Sequence, residues 1–340
     1  ELVAGNAVYS LKYDPANPLL STLNIEVEQP FSQDGRTSLA DMDNDGDLDA
    51  LVTTSLNFNV GVYVWDIQTV DLVVNFYQFP DQGTDISHAN IADFDGDGSP
   101  ETGICTFNNY TVLKPNGNDF EILWQIPTTD GSGQTASTVF DFNNDGSYEV
   151  VYRDETLIRI FDGATGTQLF NDFCFSGTRV EYPVVADVDN DGETELLCSC
   201  ANEVRSYGSV STPWVKARPV WNQHTYFNVN INDDLSVPNA QQPHHIVGDS
   251  IVLNNFLTQY ADPDFPVPDV TVAIDSFGCG VDSFMVVLTI CNEGDSRLTG
   301  ETPITFYDAN PTLTSANDMI THELGHNLDP DDCVQVRYMV

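Results

Sequence analysis

The sequence predicts an all-β fold: β-propeller blades followed by a small C-terminal immunoglobulin-like β-sandwich. Three observations predict it. Similar segments recur at roughly 50-residue intervals with several short strands in each, the period of a propeller and not of the shorter, more regular rungs of a β-helix. The strand-like runs are rich in Val, Tyr, Phe and Thr, are bounded by turn residues and show no sustained helical period. From about Asp269 the repeat stops, and the runs DVTVAIDS, SFMVVLTIC, TPITFYD, MITHEL and CVQVRYMV alternate like sandwich strands.

The elements follow in order. The opening ELVAGNAVYSL matches the end of a repeat, as in ELLCSCANEVRSY, so Glu1 is expected at the place of Glu195. The chain is thereby expected to start inside a repeat, as a mature or trimmed part of a longer precursor. Each later unit enters through a short apolar strand: TSLADMD, HANIADF, STVFDF and YPVVADV. Alternating strands follow, such as LDALVTTS, VGVYVWDI and LVVNFYQF in the first complete unit. Residues 203–262 are less regular and predict a degenerate last blade with a large loop, in which NNFLTQYAD is expected to form a short helix. Pro263, Pro266 and Pro268 mark a stiff linker over 263–268. The expected domains are therefore blades over 1–262 and a sandwich over 269–340.

Four acidic loops join these strands: DMDNDGDLD, DFDGDGSPE, DFNNDGSYE and DVDNDGETE. Oxygen-bearing side chains stand at positions one, three, five and nine of each. These are Asp41, Asp43, Asp45 and Asp49; Asp93, Asp95, Asp97 and Glu101; Asp141, Asn143, Asp145 and Glu149; Asp187, Asp189, Asp191 and Glu195. Position six is Gly46, Gly98, Gly146 or Gly192, which permits a turn that other residues resist. Alternating carboxylates on a tight loop make a cage of hard oxygens suited to Ca²⁺, about four ions in all. These are not EF-hands: position twelve is Val52, Ile104, Tyr152 or Cys198, none a ligand, and strands follow instead of helices. The alternative is a set of solvated acidic turns, to which the Asn-bearing third loop is the most open.

The formal charge of −41, from 52 acidic and 11 basic residues, repels nucleic acid and anionic membrane surfaces. The loops hold a minority of those acids, so four Ca²⁺ would still leave an acidic, salt-tolerant surface. The longest apolar run, residues 284–291, is far short of the roughly 20 residues that a spanning helix needs, so no direct membrane insertion is expected. The seven cysteines show no zinc-finger spacing and suit an oxidising, extracellular compartment. Cys291 and Cys333 fall at the same end of antiparallel sandwich strands and are expected to pair. Cys174 is expected to pair with Cys198 or Cys200, and an odd cysteine remains.

The segments ADMDNDGDLDALV, ADFDGDGSPETGI, FDFNNDGSYEVVY and ADVDNDGETELLC resemble the FG-GAP or VCBS repeats, the blades of integrin α-subunit propellers and of many bacterial surface proteins. The resemblance covers about residues 1–200. It implies that the loop joins the first two strands of a blade and binds Ca²⁺, with the position-seven backbone carbonyls of Asp47, Ser99, Ser147 and Glu193 as further ligands. Such propellers often have seven blades; four full motifs with a partial unit at each end imply a smaller ring or blades missing upstream. DVTVAI, VVLTICNEGDSRL, ITFYDANP and LDPDDCVQVRYMV resemble, more loosely, a CARDB module, an adhesion-related immunoglobulin-like fold of bacterial exoproteins.

Other motifs compete. His322-Glu323-Leu324-Gly325-His326 matches the zincin HExxH pattern, with Asp332 at a third-ligand spacing, and on a helix would make a metalloprotease. Against it, Asp329 replaces the metzincin glycine, Pro330 follows, too little chain remains for a Met-turn, and MITHEL reads as a strand. His224, His244 and His245 lie near Trp221, Asp233 and Asp234, where a second metal or ligand pocket competes with plain loop packing. Trp65, Trp124, Trp214 and Trp221 are either sugar platforms or core residues. No nucleophile elbow or P-loop is present. The expected function is a non-catalytic, calcium-stabilised adhesion, binding or structural module at a bacterial cell surface. Its partner would be a protein or glycan ligand, or another copy of itself. The rival readings are a lectin-like propeller of a polysaccharide-degrading system, an extracellular fibre subunit and, least supported, the zinc protease.

Overall fold

The computed structural model describes residues 2–12, 14, 17, 19, 21–30, 33–55, 60–80, 83–189, 191–209, 214–232, 234–238, 245, 253–261, 270–279, 284–292, 303–307, 318–326, 328 and 332–340. The expected linker over 263–268 lies outside them. The chain divides into two compact units, Glu1–Asp262 and Pro263–Val340. Among the described residues the fold is all-β, with a single 3-10 turn at Asn228–Asn230. None of their helices is long and apolar enough to cross a membrane.

Among its described residues the first unit holds five antiparallel sheets. The first comprises β1 (Leu2–Ala4), β2 (Ala7–Lys12) and β3 (Thr22–Glu28). The second comprises β4 (Arg36–Ala40), β5 (Asp49–Thr54), β6 (Gly61–Asp66) and β7 (Leu72–Gln78). The third comprises β8 (Asn90–Ala92), β9 (Glu101–Thr106), β10 (Asn109–Asn116) and β11 (Asp119–Pro127). The fourth comprises β12 (Ser137–Phe140), β13 (Glu149–Arg153), β14 (Leu157–Asp162) and β15 (Gln168–Phe173). The fifth comprises β16 (Val184–Ala186), β17 (Glu195–Cys200) and β18 (Glu203–Tyr207).

These sheets stack face to face, and the two-residue period of a strand explains how. Ala50 and Val52 of β5 pack with Val8, Tyr63 and Trp65, towards the first sheet. Leu51, between them, packs with Ile91, Ile104 and Leu113 of the third sheet. Cys105 of β9 then packs with Val150 and Tyr152 of β13, while Val151 packs with Val185 and Leu196 of the fifth sheet. Strands buried on both faces need apolar or small residues at most positions, and any charged group they bury must find partners. Accordingly β5, β9 and β13 are buried throughout, whereas β3 and β15 are largely exposed.

Residues 253–261 correct one expectation. NNFLTQYAD is not helical there; it runs extended along the inner strands. Phe256 and Ile91 exchange two backbone hydrogen bonds of 2.9 Å, and Val139 N donates to Leu257 O while accepting Gln259 N on its own carbonyl, at 3.3 and 3.0 Å. The Gln259 amide donates to Val185 O, Arg218 O and Val220 O, each at 3.1 Å. Backbone groups on the exposed inner edges of the sheets demand partners, and this segment supplies them.

The second unit contains β19 (Val270–Cys279), β20 (Phe284–Asn292), β21 (Pro303–Tyr307), β22 (Asp318–Glu323) and β23 (Cys333–Met339). They form a three-stranded sheet, β19-β20-β23, and a hairpin, β21-β22. Val286, Leu288 and Ile290 of β20 share a core with Val336, Tyr338, Leu324 and Leu328, against which Ile304 and Phe306 of β21 pack. Cys291 and Cys333 are register partners and form a disulfide. In the first unit Cys174 pairs with Cys200. Cys105 and Cys198 are buried free thiols, and Cys279 is an exposed one.

Candidate metal centre

Each acidic loop leaves one strand and closes on the next: β4 to β5, β8 to β9, β12 to β13 and β16 to β17. The glycine at position six takes φ of 99°, 88°, 89° and 91° in turn, and no neighbour lies within 4 Å of where a Cβ would stand. Backbone conformation alone, not crowding, therefore demands glycine. Position four is left-handed as well, at Asn44 (φ 60°), Gly96 (72°) and Asn144 (55°). Asn and Gly are the residues that tolerate this region, a signal present in the sequence that the spacing of the acids overshadowed.

The loops share one hydrogen-bond scheme. The position-one carboxylate accepts from the backbone N–H of positions five and six: Asp41 from Asp45 and Gly46 at 3.0 and 2.9 Å, Asp93 from Asp97 and Gly98 at 3.0 and 2.7 Å. Asp141 does the same at 3.1 and 2.9 Å, and Asp187 accepts from Gly192 at 3.3 Å. The position-five acid accepts from position seven: Asp47 to Asp45, Ser99 to Asp97, Ser147 to Asp145 and Glu193 to Asp191, all within 2.8–3.0 Å. The position-nine acid reaches back to the N–H of position two: Asp49 from Met42, Glu101 from Phe94, Glu149 from Phe142 and Glu195 from Val188, at 2.8, 2.8, 2.9 and 2.9 Å. Nine residues are thereby folded around a knot of converging carboxylates.

Three loops bring carboxylate oxygens within 4.8 Å of one another: Asp41, Asp43 and Asp45; Asp93, Asp95 and Glu101; Asp187, Asp189 and Glu195. The third loop differs, because Asn143 replaces an acid; its Oδ1 accepts from Asp145 N at 2.9 Å and its amide donates to Asp145 at 3.0 Å. Burial pushes the closing acids up, to about 8 for Asp49 and about 7 for Glu101 and Glu149, with nearby carboxylates adding to it. Glu195, Asp43, Asp93 and Asp141 are raised too, first by burial. Among the described residues, Asp187 Oδ1 and Glu101 Oε1 are buried without a hydrogen-bond partner, the latter facing only the Lys114 ammonium at 3.0 Å. Hard oxygens, like charges and an orphaned buried oxygen fit a hard divalent cation.

Two contributors escaped sequence reasoning. Asn254 clamps the first loop: its Oδ1 accepts from Asp41 N at 2.8 Å and its amide donates to Asp41 O at 2.6 Å. Lys114 enters the second loop, its ammonium 2.6 Å from Asp95, 2.7 Å from Asp97 and 3.0 Å from Glu101. Burial dominates at Glu101 despite this ammonium, and its carboxyl stays raised. No local motif announces either residue, since Asn254 lies 213 residues from its partner.

The competing motifs resolve differently. His322 and Glu323 lie in β22, where successive side chains point to opposite faces, and not on a helix. His322 stacks on Tyr338 and its Nε2 lies 3.0 Å from Met339 O. His224 Nε2 lies 2.6 Å from Val180 O, and the buried His245 lies 3.0 Å from Gly46 O. Asp234 is exposed and accepts from Ser236, while His244 and Asp233 lie outside the described residues. Trp65 and Trp124 are buried, with their indole N–H groups donating to Gly5 O and Gly163 O. Trp214 packs on Phe142 and Trp221 stacks on Tyr226, but both are half-buried, and Trp214 also lines a surface pocket with Leu169 and Phe170.

Residues 93–152, from the second acidic loop through the third, match the family model of the FG-GAP-like repeat. No curated protein matches the chain. Among solved structures it is similar to the biofilm matrix protein Bap1 of V. cholerae, at 19% identity, 66% of this chain, 42% of that chain and a TM-score of 0.43. It is also similar to a rhamnogalacturonan lyase of Bacillus licheniformis (13% identity, 53% and 45% covered, TM-score 0.30). BamB from Moraxella catarrhalis is a third such structure (10% identity, 88% and 80% covered, TM-score 0.37). The chain spans less than half the length of the first two, and none of the three bears on its function.

Proposed function

We propose that this chain is a non-catalytic, calcium-stabilised binding or structural module of an extracellular bacterial surface protein. Its blades are of FG-GAP propeller type over 1–262, and its C-terminal sandwich is immunoglobulin-like and of CARDB type over 269–340. One observation carries the reading: four loops repeat the same hydrogen-bonded turn, three of them with converging carboxylates, and each is closed by an acid that burial raises. A bound Ca²⁺ would supply divalent charge and accept six to eight oxygen ligands. Asp41, Asp43, Asp45 and Asp49, with the Asp47 carbonyl, would hold it in the first loop. The corresponding residues of the third and fourth loops would do so in turn, with Ser147 and Glu193 contributing carbonyls; the second loop presents the same donors, with the Ser99 carbonyl, but holds Lys114 among them. Ligand binding to the folded state alone would then stabilise the turns by mass action. The stacked sheets would offer a rigid surface to a protein or glycan ligand, or to another copy. Two disulfides and the acidic surface support an extracellular setting.

The test is a thermal melt of EDTA-stripped protein titrated with Ca²⁺, with Zn²⁺ in parallel. A calcium-specific rise in midpoint is expected. No response to Ca²⁺ leaves only acidic turns and overturns the reading. A rise with Zn²⁺ alone returns attention to His322 and His326.

A further inference from the structure

The four loops do not carry the same charge, and the cause lies one strand away. The residue facing the position-nine acid across the sheet is not the same in all four. Asp66 pairs with Asp49, and Asp162 pairs with Glu149. In the fifth sheet Tyr207 pairs with Leu196, so that Gly208 comes next opposite Glu195. In the third sheet Leu113 pairs with Thr102, so that Lys114 comes next opposite Glu101. The second and fourth sheets thus place a further acid beside the loop, and there it has a local task. Asp66 accepts from Gln68 N and Thr69 N, and Asp162 from Thr165 N, capping the turn that follows. The third sheet turns instead through Asn116, Gly117 and Asn118, with Gly117 at φ 60°. That turn needs no Asp cap, which frees the position for a different residue.

Lys114 uses it to reach three acids of the second cage, at 2.6, 2.7 and 3.0 Å, with its side chain only 19% exposed. Two of these, Asp95 and Glu101, belong to the group whose oxygens converge within 4.8 Å. The ammonium therefore stands among the oxygens that a divalent ion would take. It is tethered, so it pays no association entropy, and its hydrogen bonds go to carboxylates that would otherwise repel one another.

We propose that Lys114 is the resident cation of the second loop, which therefore takes no calcium, while the loops without such a partner do. The inference rests on the calcium reading above and divides its four loops into two kinds. The single-residue change Lys114→Met keeps the aliphatic stem and removes the charge.

The experiment is calcium counting by equilibrium dialysis and metal analysis at roughly millimolar free Ca²⁺, the range of extracellular calcium modules. The full-length chain and Lys114→Met are compared. One additional ion per chain in the variant is expected. Calcium bound equally by both proteins overturns the inference and leaves the calcium reading standing. No calcium in either overturns both. Amine acylation of the unaltered protein, read by mass spectrometry at Lys114, gives an answer that does not depend on a variant folding. Lys114 is expected to stay protected with and without Ca²⁺. Protection lost on adding Ca²⁺ means that the ion displaces the ammonium and overturns the inference.

Discussion

The two compact units close by different means. In Glu1–Asp262 the sheets are joined by acidic loops, and the loops bury carboxyls that repel one another. In Pro263–Val340 a smaller core is crossed by one covalent bond, Cys291–Cys333, between adjacent strands. The first unit has a disulfide of its own, Cys174–Cys200, so what sets it apart is the clustering of charge in its loops. Strands buried on both faces leave the loops as the place where charge must collect, whereas a sheet with one buried face can keep its charges in water.

Chelation should separate the units most sharply. If several cages are filled, each contributes roughly 2–3 kcal/mol at saturating Ca²⁺. Calorimetry with EDTA is expected to lower the first unit's transition by roughly 10–20 °C and to leave the second's in place. A single shift shared by both transitions would dissolve the contrast. The converse experiment replaces Cys291 and Cys333 by Ser, with an expected loss of about 2–4 kcal/mol in the second unit alone, read by urea unfolding with and without Ca²⁺.

Acidity sharpens the same comparison. Asp49, Glu101 and Glu149 have raised carboxyls in the folded chain, at about 8, 7 and 7. A raised acid contributes stability that is fully present below its unfolded value, near 4, and lost as pH rises through its folded value. Metal-free protein is therefore expected to be more stable at pH 5 than at pH 8 in its first unit, and added Ca²⁺ to reverse the order. Melts in EDTA at both pH values, showing no fall towards alkaline pH, would count against buried carboxyls.

The smallest expected effect is local. Asn254→Ala removes both hydrogen bonds to the Asp41 backbone and costs about 1–3 kcal/mol. It should weaken calcium at the first loop and leave the fourth unchanged, which titration of the variant would show.

Much of this was legible in the chain. The loop spacing, the position-six glycines and the alternating runs marked turn and strand, because those signals are local. The FG-GAP-like match spans the second and third loops that the acids had already picked out. MITHEL read as a strand, and its first five residues, 319–323, lie in β22. Less was legible where partners are distant. NNFLTQYAD was open to a short helix, yet its backbone pairs with Ile91 and Val139, far away in sequence. Trp65 and Trp124 could equally have been platforms or core, and only packing settled them.

The sequence by itself determined the make-up of the acidic loops: oxygen-bearing side chains, their spacing along each loop, and the glycine that bends it. These depend on covalent geometry and on residues within one turn. The tertiary structure alone decided which cage carries Lys114, which acids are buried enough to resist ionisation, and which backbone edge residues 253–261 would cover. Those depend on strand register and desolvation, and both arise only when segments distant in the chain are brought face to face.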